Sequence, residues 1–429
     1  MNVENLTEIK SGFLNFYSNS IGAPLLIAFE MEDETDCCLL QKTLNRVIKR
    51  YPYFSTQLVW KDGDVYLAPN DNPMVVENSD KMRELGSKET GFHLLEVHAF
   101  GHFIYLHVHH GIMDGNGFMP FMRTLLYCYL CDYYGRDFKV QGVNLPDSPI
   151  DPGEYDEPFG DDYYPSGDEP KSKITENRFE LPEFAAPEKE KQCYYTHITF
   201  PMKRFVSIMK KQDSSPAILL SILMSQAIER VHPEHEGEIV TNLVWNFRNE
   251  INMKNTHNYC VSGVALTYSD RIKRMPLELQ GTCFRGMTFA QTRESDAYRI
   301  ANGLIALRKK CEQTGSYAGK LSVLSFLDKV KANTFPLSYT GQMALGECEK
   351  KIRDMYIMPT GTYVFGIEVA SVNDSLSIDM QKNRDVSVYE DALCDILGEN
   401  SIPYSRQKTV HVVFPETNNS MVMRAKEQR

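Results

Sequence analysis

The chain has 429 residues, 42% of them hydrophobic and 24% charged, a globular composition long enough for two or three domains and for cores without disulfide staples. Its 46 Lys and Arg against 57 Asp and Glu leave a formal charge of −11. A non-specific nucleic-acid binder needs a basic surplus to neutralise phosphates, so that class is excluded. The stretch Met1-Asn-Val-Glu-Asn-Leu-Thr-Glu8 has no basic region ahead of an apolar run, and no signal peptide is expected. The early apolar run 24–29 is too short to span a bilayer, and nothing later approaches about 18 apolar residues. The 10 cysteines are scattered, as at Cys37, Cys38, Cys260 and Cys394, in the manner of reduced thiols in a cytoplasmic protein. Cys128 and Cys131 form a CxxC, but no second pair follows at zinc spacing and the local pattern is helical.

In chain order, Asp36 is placed to cap a helix carrying Leu39, Leu40, Thr43, Leu44, Val47 and Ile48, and Pro52 requires that helix to end by Tyr51. Runs 54–60 and 65–67 flank Asp62-Gly63, a hairpin signal. Residues 92–110 are strongly β-prone, and Phe118, Phe121, Met122, Leu125, Leu126 and Tyr129 then form a broad apolar helical face. From 141 to 192 the chain turns acidic and proline-rich with little periodicity, the character of linkers and surface-crossing segments. We therefore expect a first half over 1–170, a crossover linker over 171–192 and a second half over 193–429. In the second half 216–230 and 295–311 are helical by pattern. Runs 238–247, 363–371 and 375–379 are strands by pattern, the last two turning at Asn373-Asp374. A short helix over 389–397 is expected to close on Gly398 as its C′ residue. Both halves are α+β and of similar size.

The informative residues are His109-His110-Gly111-Ile112-Met113-Asp114-Gly115. With 11 histidines and 57 acidic residues in the chain, about 1.5 chance matches to H-x3-[DE] are expected, and His232…Glu236 is one. Requiring His before and Gly after lowers the expectation to roughly 0.002, so chance is a poor explanation. Side chains alternate along a strand, so Ile104, Leu106, Val108 and His110 share one face, while Phe103, Tyr105, His107 and His109 share the other. His110 thus ends an apolar row just before a glycine-bearing turn. An imidazole held neutral there suits proton abstraction near neutral pH. Asp114, across the turn, is placed either to orient His110 or to pair with a cation and lock the turn.

Other chemistries find less support. His93, His98, His102, His107, His109 and His110 crowd one region, and His107 and His109 share a face. No carboxylate or thiolate stands beside them in a ligand pattern, so no metal is expected. Gly115-Asn-Gly117-Phe-Met-Pro120 opens like a dinucleotide fingerprint, but Pro120 occupies its last position, and there is no Walker A sequence. No G-x-S-x-G elbow exists, and no cysteine sits in an electropositive loop.

A strand ending in HHxxxDG and followed by an apolar helix resembles the chloramphenicol acetyltransferase superfamily. That group includes nonribosomal peptide condensation domains, plant BAHD acyltransferases, wax ester synthases and bacterial alcohol O-acetyltransferases. Val244-Trp-Asn-Phe-Arg248 followed by Thr256-His-Asn-Tyr259 is similar to the family's hydrophobic-x-x-x-Arg and Asn-Phe segment. Leu337-Ser-Tyr-Thr-Gly341 looks like its Ser-Asn-x-Gly element with Tyr339 in place of Asn, and Arg50-Tyr-Pro-Tyr-Phe54 like its first helix running into a tyrosine-proline turn.

The resemblance implies an α+β fold of two similar two-layer sandwich halves with the active-site tunnel between them. It implies His110 as the general base that deprotonates a small-molecule alcohol or amine attacking a thioester carbonyl. His109 would be structural, Asp114 would be held by Arg248, and Ser338 would donate to the oxyanion, with Tyr339 and the Gly115 backbone N–H as alternatives. No cofactor stays bound; the co-substrate is acyl-CoA, or an acyl group on the phosphopantetheine arm of a carrier protein. Lys203-Arg204, Lys210-Lys211, 308–310 and 350–353 are each able to meet coenzyme A phosphates, and the sequence does not choose among them. With both halves in one chain, a monomer suffices. A catalytically silent binding relative is the alternative from another class.

Overall fold

The first sheet grows from the apolar run Pro24–Met31, which pairs antiparallel with Phe103–His109 so that Leu25 lies beside Val108 and Ile27 beside Leu106. Leu95–Phe100 pairs with the other edge of Phe103–His109 after a turn at Gly101, whose φ is +57°. The β-prone region 92–110 is therefore two strands, and Val76–Glu77 extends the sheet beyond them. Asp36 caps the helix Cys37–Val47, its carboxylate accepting from the Leu39 N–H at 2.9 Å. This helix packs on Gly115–Tyr134, and the pair buries Leu40, Leu44, Phe118, Phe121 and Leu125 in one core with Leu106 and Val108. The Asp62-Gly63 turn joins Thr56–Lys61 to Asp64–Pro69, as its dipeptide predicts. The computed structural model describes residues 6–18, 24–165, 177–184, 193–329, 333–359, 365–412, 414 and 418–427.

The second sheet runs in the order Ser405–Arg406, Cys193–Pro201, Ser375–Lys382, Phe365–Val372, Phe335–Gln342, Ile239–Asn246, Val261–Tyr268. Val410–Val412 also pairs with Cys193–Pro201. Phe335–Gln342 is parallel to both neighbours, and the other pairings are antiparallel. Pro216–Val231 and Val388–Glu399 pack together over a second core containing Leu219, Leu223, Leu337, Val369 and Leu393. The second of these helices runs past the expected stop: Gly398 lies inside it, and the Asn400 backbone N–H closes its last turn.

Among the ties between the halves are a shared strand and the acidic run. Ile352–Pro359 leaves the second half of the chain and pairs with Pro24–Met31 at the edge of the first sheet, setting Ile357 beside Ile27. Over it, Asp379 accepts from the Ile357 N–H at 2.7 Å and the Ser377 hydroxyl donates to the Met355 carbonyl at 3.1 Å, joining the second sheet to this strand. The acidic run supplies the second tie. Arg50 meets Glu154 through two bonds of 2.8 and 2.5 Å, out of water, and the Asp156 carbonyl accepts from Thr256 Oγ1 and Asn258 Nδ2. Of the expected linker 171–192 only 177–184 are described; there Phe179 donates to the Glu238 carbonyl at 2.8 Å. No described helix is long and apolar enough to cross a membrane.

Candidate active site

The strand ends at His109, and His110–Ile112 forms one tight helical turn before Asp114 opens the helix Gly115–Tyr134. His109 is fully buried, stacked on Phe16 at 4.2 Å, and its Nδ1 accepts from the Gly111 N–H at 3.1 Å. His110 is half-buried, with Nδ1 2.9 Å from the Met113 carbonyl oxygen. A carbonyl only accepts, so Nδ1 carries the proton and Nε2 is left as the basic atom. The Met113 backbone, not a carboxylate, therefore sets the tautomer.

Asp114 resolves to the second of its two readings. One carboxylate oxygen accepts from the Gly117 N–H at 2.8 Å and from Arg248 Nη2 at 2.8 Å; the other accepts from the Cys260 N–H at 2.7 Å. Asp114 is 1% exposed and Arg248 4%. Arg248 also donates to the Thr256 carbonyl at 3.1 Å, the Asn258 carbonyl at 2.6 Å and Asn246 Oδ1 at 3.0 Å. The segment 256–258 crosses Gly117 so closely that a Cβ there would lie 2.1 Å from the His257 carbonyl oxygen. Asp114 and Arg248 thus lock the turn that presents His110.

Between the two sheets lies a narrow cavity of about 70 Å³. His110, Gly115, Tyr259, Ser338, Thr340 and Glu368 line it with Leu25, Ile27, Met355 and Ile357. The Tyr259 and His110 rings are 5.5 Å apart. Tyr339 does not reach this cavity. Strand alternation turns Phe335, Leu337 and Tyr339 into the second core, leaving Ser338 and Thr340 facing His110. Thr340, not Tyr339, is the neighbour that reaches Gly115, where an added Cβ would lie 3.1 Å from Thr340 Cγ2.

Glu368 is the site residue that the sequence reading missed. It is placed beside Ser338 on one side and Asp379 on the other by strand register. Burial pushes its carboxyl up to about 7, the Ser338 hydrogen bond draws it partly back, and Asp379 adds to the rise. Its only signal in the sequence was one acid inside the apolar strand Phe365–Val372.

A wider cavity of 640 Å³ reaches the same turn at Gly111 and Ile112 and is walled by 6–12, Tyr53, Tyr155, His257 and Asn258. His257 stacks on Tyr53 at 3.9 Å, and burial lowers its pKa to about 4 despite its bond to the Glu154 carbonyl. The histidine cluster forms a hydrogen-bonded network: His98 and His107 each lie 2.9 Å from a Glu96 carboxylate oxygen, and Arg83 pairs with the same group. Burial opposes ionisation of Glu96, but the two imidazoles hold its pKa low. Among the described residues no group of three His, Cys, Asp or Glu is placed to hold a metal ion. Of the basic clusters, Arg308 is buried against Asp161 and Glu312, whereas Lys350 lines an open cleft with Lys139.

No family model matches the chain, and no curated protein matches it in sequence. Solved structures do match in fold. Polyketide synthase associated protein 5 from Mycobacterium tuberculosis aligns with a TM-score of 0.58 at 12% identity, covering 92% of this chain and 96% of that one. TRI101 from F. sporotrichioides, complexed with coenzyme A and T-2, aligns at 0.56 and 13% identity, covering 94% and 99%. The epimerization domain from the third module of tyrocidine synthetase B aligns at 0.54 and 12%, covering 92% and 95%. The chain shares the α+β fold of these three proteins over nearly its whole length.

Proposed function

We propose that the chain is an acyltransferase that moves an acyl group from a thioester, with coenzyme A as the donor's carrier, to a hydroxyl or amine of a small molecule. The observation that carries this reading is His110, its Nδ1 proton committed to the Met113 carbonyl, in a cavity whose opposite wall supplies Ser338. His110 Nε2 takes the acceptor's proton as the acceptor attacks the thioester carbon. The oxygen that gains charge is stabilised by the Gly115 N–H, which opens the helix Gly115–Tyr134 and so stands at the positive end of its dipole, and by the Ser338 hydroxyl, which turns its one proton from the Glu368 carboxyl to the oxyanion. The carbon–sulfur bond then breaks, and His110 returns the proton to the departing thiolate. A positioned base contributes about 10²–10⁴-fold and one oxyanion donor about 10²–10³-fold, which suffices for an already electrophilic thioester. No covalent acyl-enzyme is needed, and both sheets of the chain contribute residues to the cavity.

The fold neighbour TRI101, crystallised with coenzyme A, supports the choice of donor. Calorimetric titration with coenzyme A and acetyl-CoA tests it without knowledge of the acceptor. Saturable binding at one site per chain is expected. No binding at millimolar concentration would overturn the coenzyme A donor and favour an acyl group carried on a protein's phosphopantetheine arm.

A further inference from the structure

Four strands carry one polar row across the face of the second sheet. Strand register sets Ser338 beside Glu368, Glu368 beside Asp379 and Asp379 beside His197. The far end of the row holds a cation: His197 Nδ1 lies 2.7 Å from Asp379, and its Nε2 lies 3.0 Å from Asp354. The near end does not. Ser338 and Glu368 open onto the His110 cavity, and among the described residues no cation acts on Glu368: Ser338 bonds to it, and Asp379 beside it carries the same charge. A half-buried carboxyl facing a cavity in this way lacks a counter-charge that a ligand is able to supply.

We infer that Glu368 selects the acceptor and that this acceptor is a primary amine arriving as an ammonium ion, an assignment that rests on His110 as the base of acyl transfer. The proton count favours it. An alcohol surrenders one proton on acylation, which His110 handles alone. An ammonium ion surrenders two, and the cavity holds two groups able to take them. The ammonium first pairs with the Glu368 carboxylate and passes one proton to it, leaving a neutral amine and a carboxylic acid. The amine nitrogen attacks the thioester carbon, forming the C–N bond, while His110 Nε2 takes a second N–H proton. The C–S bond breaks as the carbonyl re-forms, His110 gives its proton to the thiolate, and Glu368 releases its own to water. Ammonium plus thioester yields amide, thiol and one proton. A carboxyl titrating at about 7 is a better match to an ammonium proton than an ordinary carboxylate. The chain's formal charge of −11 also favours a cationic acceptor.

The test is thiol release from acetyl-CoA with a panel of primary alkyl and arylalkyl amines and their isosteric alcohols, using wild type, Glu368→Gln, Glu368→Asp and His110→Ala. Amines are expected to be turned over in preference to alcohols. Glu368→Gln, which cannot accept the proton, lowers the amine-to-alcohol ratio of kcat/KM at least about 10-fold, and Glu368→Asp restores part of it. Preference for alcohols, a ratio unchanged in Glu368→Gln, or no amine raising thiol release above acetyl-CoA alone would each overturn the inference. Failure of the underlying reading shows separately, as His110→Ala retaining wild-type rates.

Discussion

Replacing Asp114 by Ala tests whether this carboxylate is a structural lock. In the folded protein it accepts from two backbone N–H groups, at 2.8 and 2.7 Å, and from Arg248 at 2.8 Å, all out of water. Breaking a buried ion pair from one side costs about 3–5 kcal/mol, and leaving a buried N–H without an acceptor costs about 1–3 kcal/mol. Arg248 keeps its bonds to Thr256, Asn258 and Asn246, which limits the damage. The expected loss is about 4 kcal/mol. Urea unfolding followed by tryptophan fluorescence suits the measurement, because Trp245 lies on the segment that leads into Arg248. Arg248→Met removes the other charge, and the double variant should lose less than the sum of the singles by at least about 1 kcal/mol. Additivity within about 0.5 kcal/mol, or a loss under about 1 kcal/mol for Asp114→Ala, would refute the lock.

Gly117→Ala forces a methyl group to within 2.1 Å of the His257 carbonyl oxygen, so the 256–258 segment must lift from the helix. A stability loss of about 1–3 kcal/mol is expected in thermal melts, and a wild-type melt would contradict the close approach. The His197 bridge makes a pH prediction. Burial alone would lower the His197 pKa, but Asp379 and Asp354 outweigh it and hold the value at about 10. A folded pKa above the unfolded value of about 6.5 gives stability that is complete below about pH 6.5 and is lost as pH rises through about 10. The urea midpoint of wild type should therefore fall more steeply over that range than that of His197→Gln; parallel profiles would sink the assignment.

What the sequence made legible was local. Asp36 as a cap, Asp62-Gly63 as a hairpin turn and the strand-to-helix passage through HHxxxDG each depend on residues a few positions apart. Arg248 as the partner of Asp114 came from the family resemblance, not from spacing, and the 2.8 Å bond places the two together. Tyr339 went astray because a motif aligned by sequence says nothing about which strand face its members take; alternation sends Ser338 and Tyr339 to opposite sides. The pairing of Ile352–Pro359 with Pro24–Met31 was invisible because no short-range pattern encodes a partner so distant in the chain. Glu368 was hidden for a related reason: its meaning comes from Ser338 and Asp379 on neighbouring strands, not from its own. The acidic run misled in a milder way, since composition describes its exposed residues while Glu154 is buried against Arg50.

The central claim is that His110 Nε2 is the base of acyl transfer, and His110→Ala tests it most directly. Acceptor-dependent thiol release from acetyl-CoA should fall at least about 10²-fold while coenzyme A binding, measured by calorimetry on the same sample, persists. A variant that binds coenzyme A and turns over at the wild-type rate would contradict the mechanism.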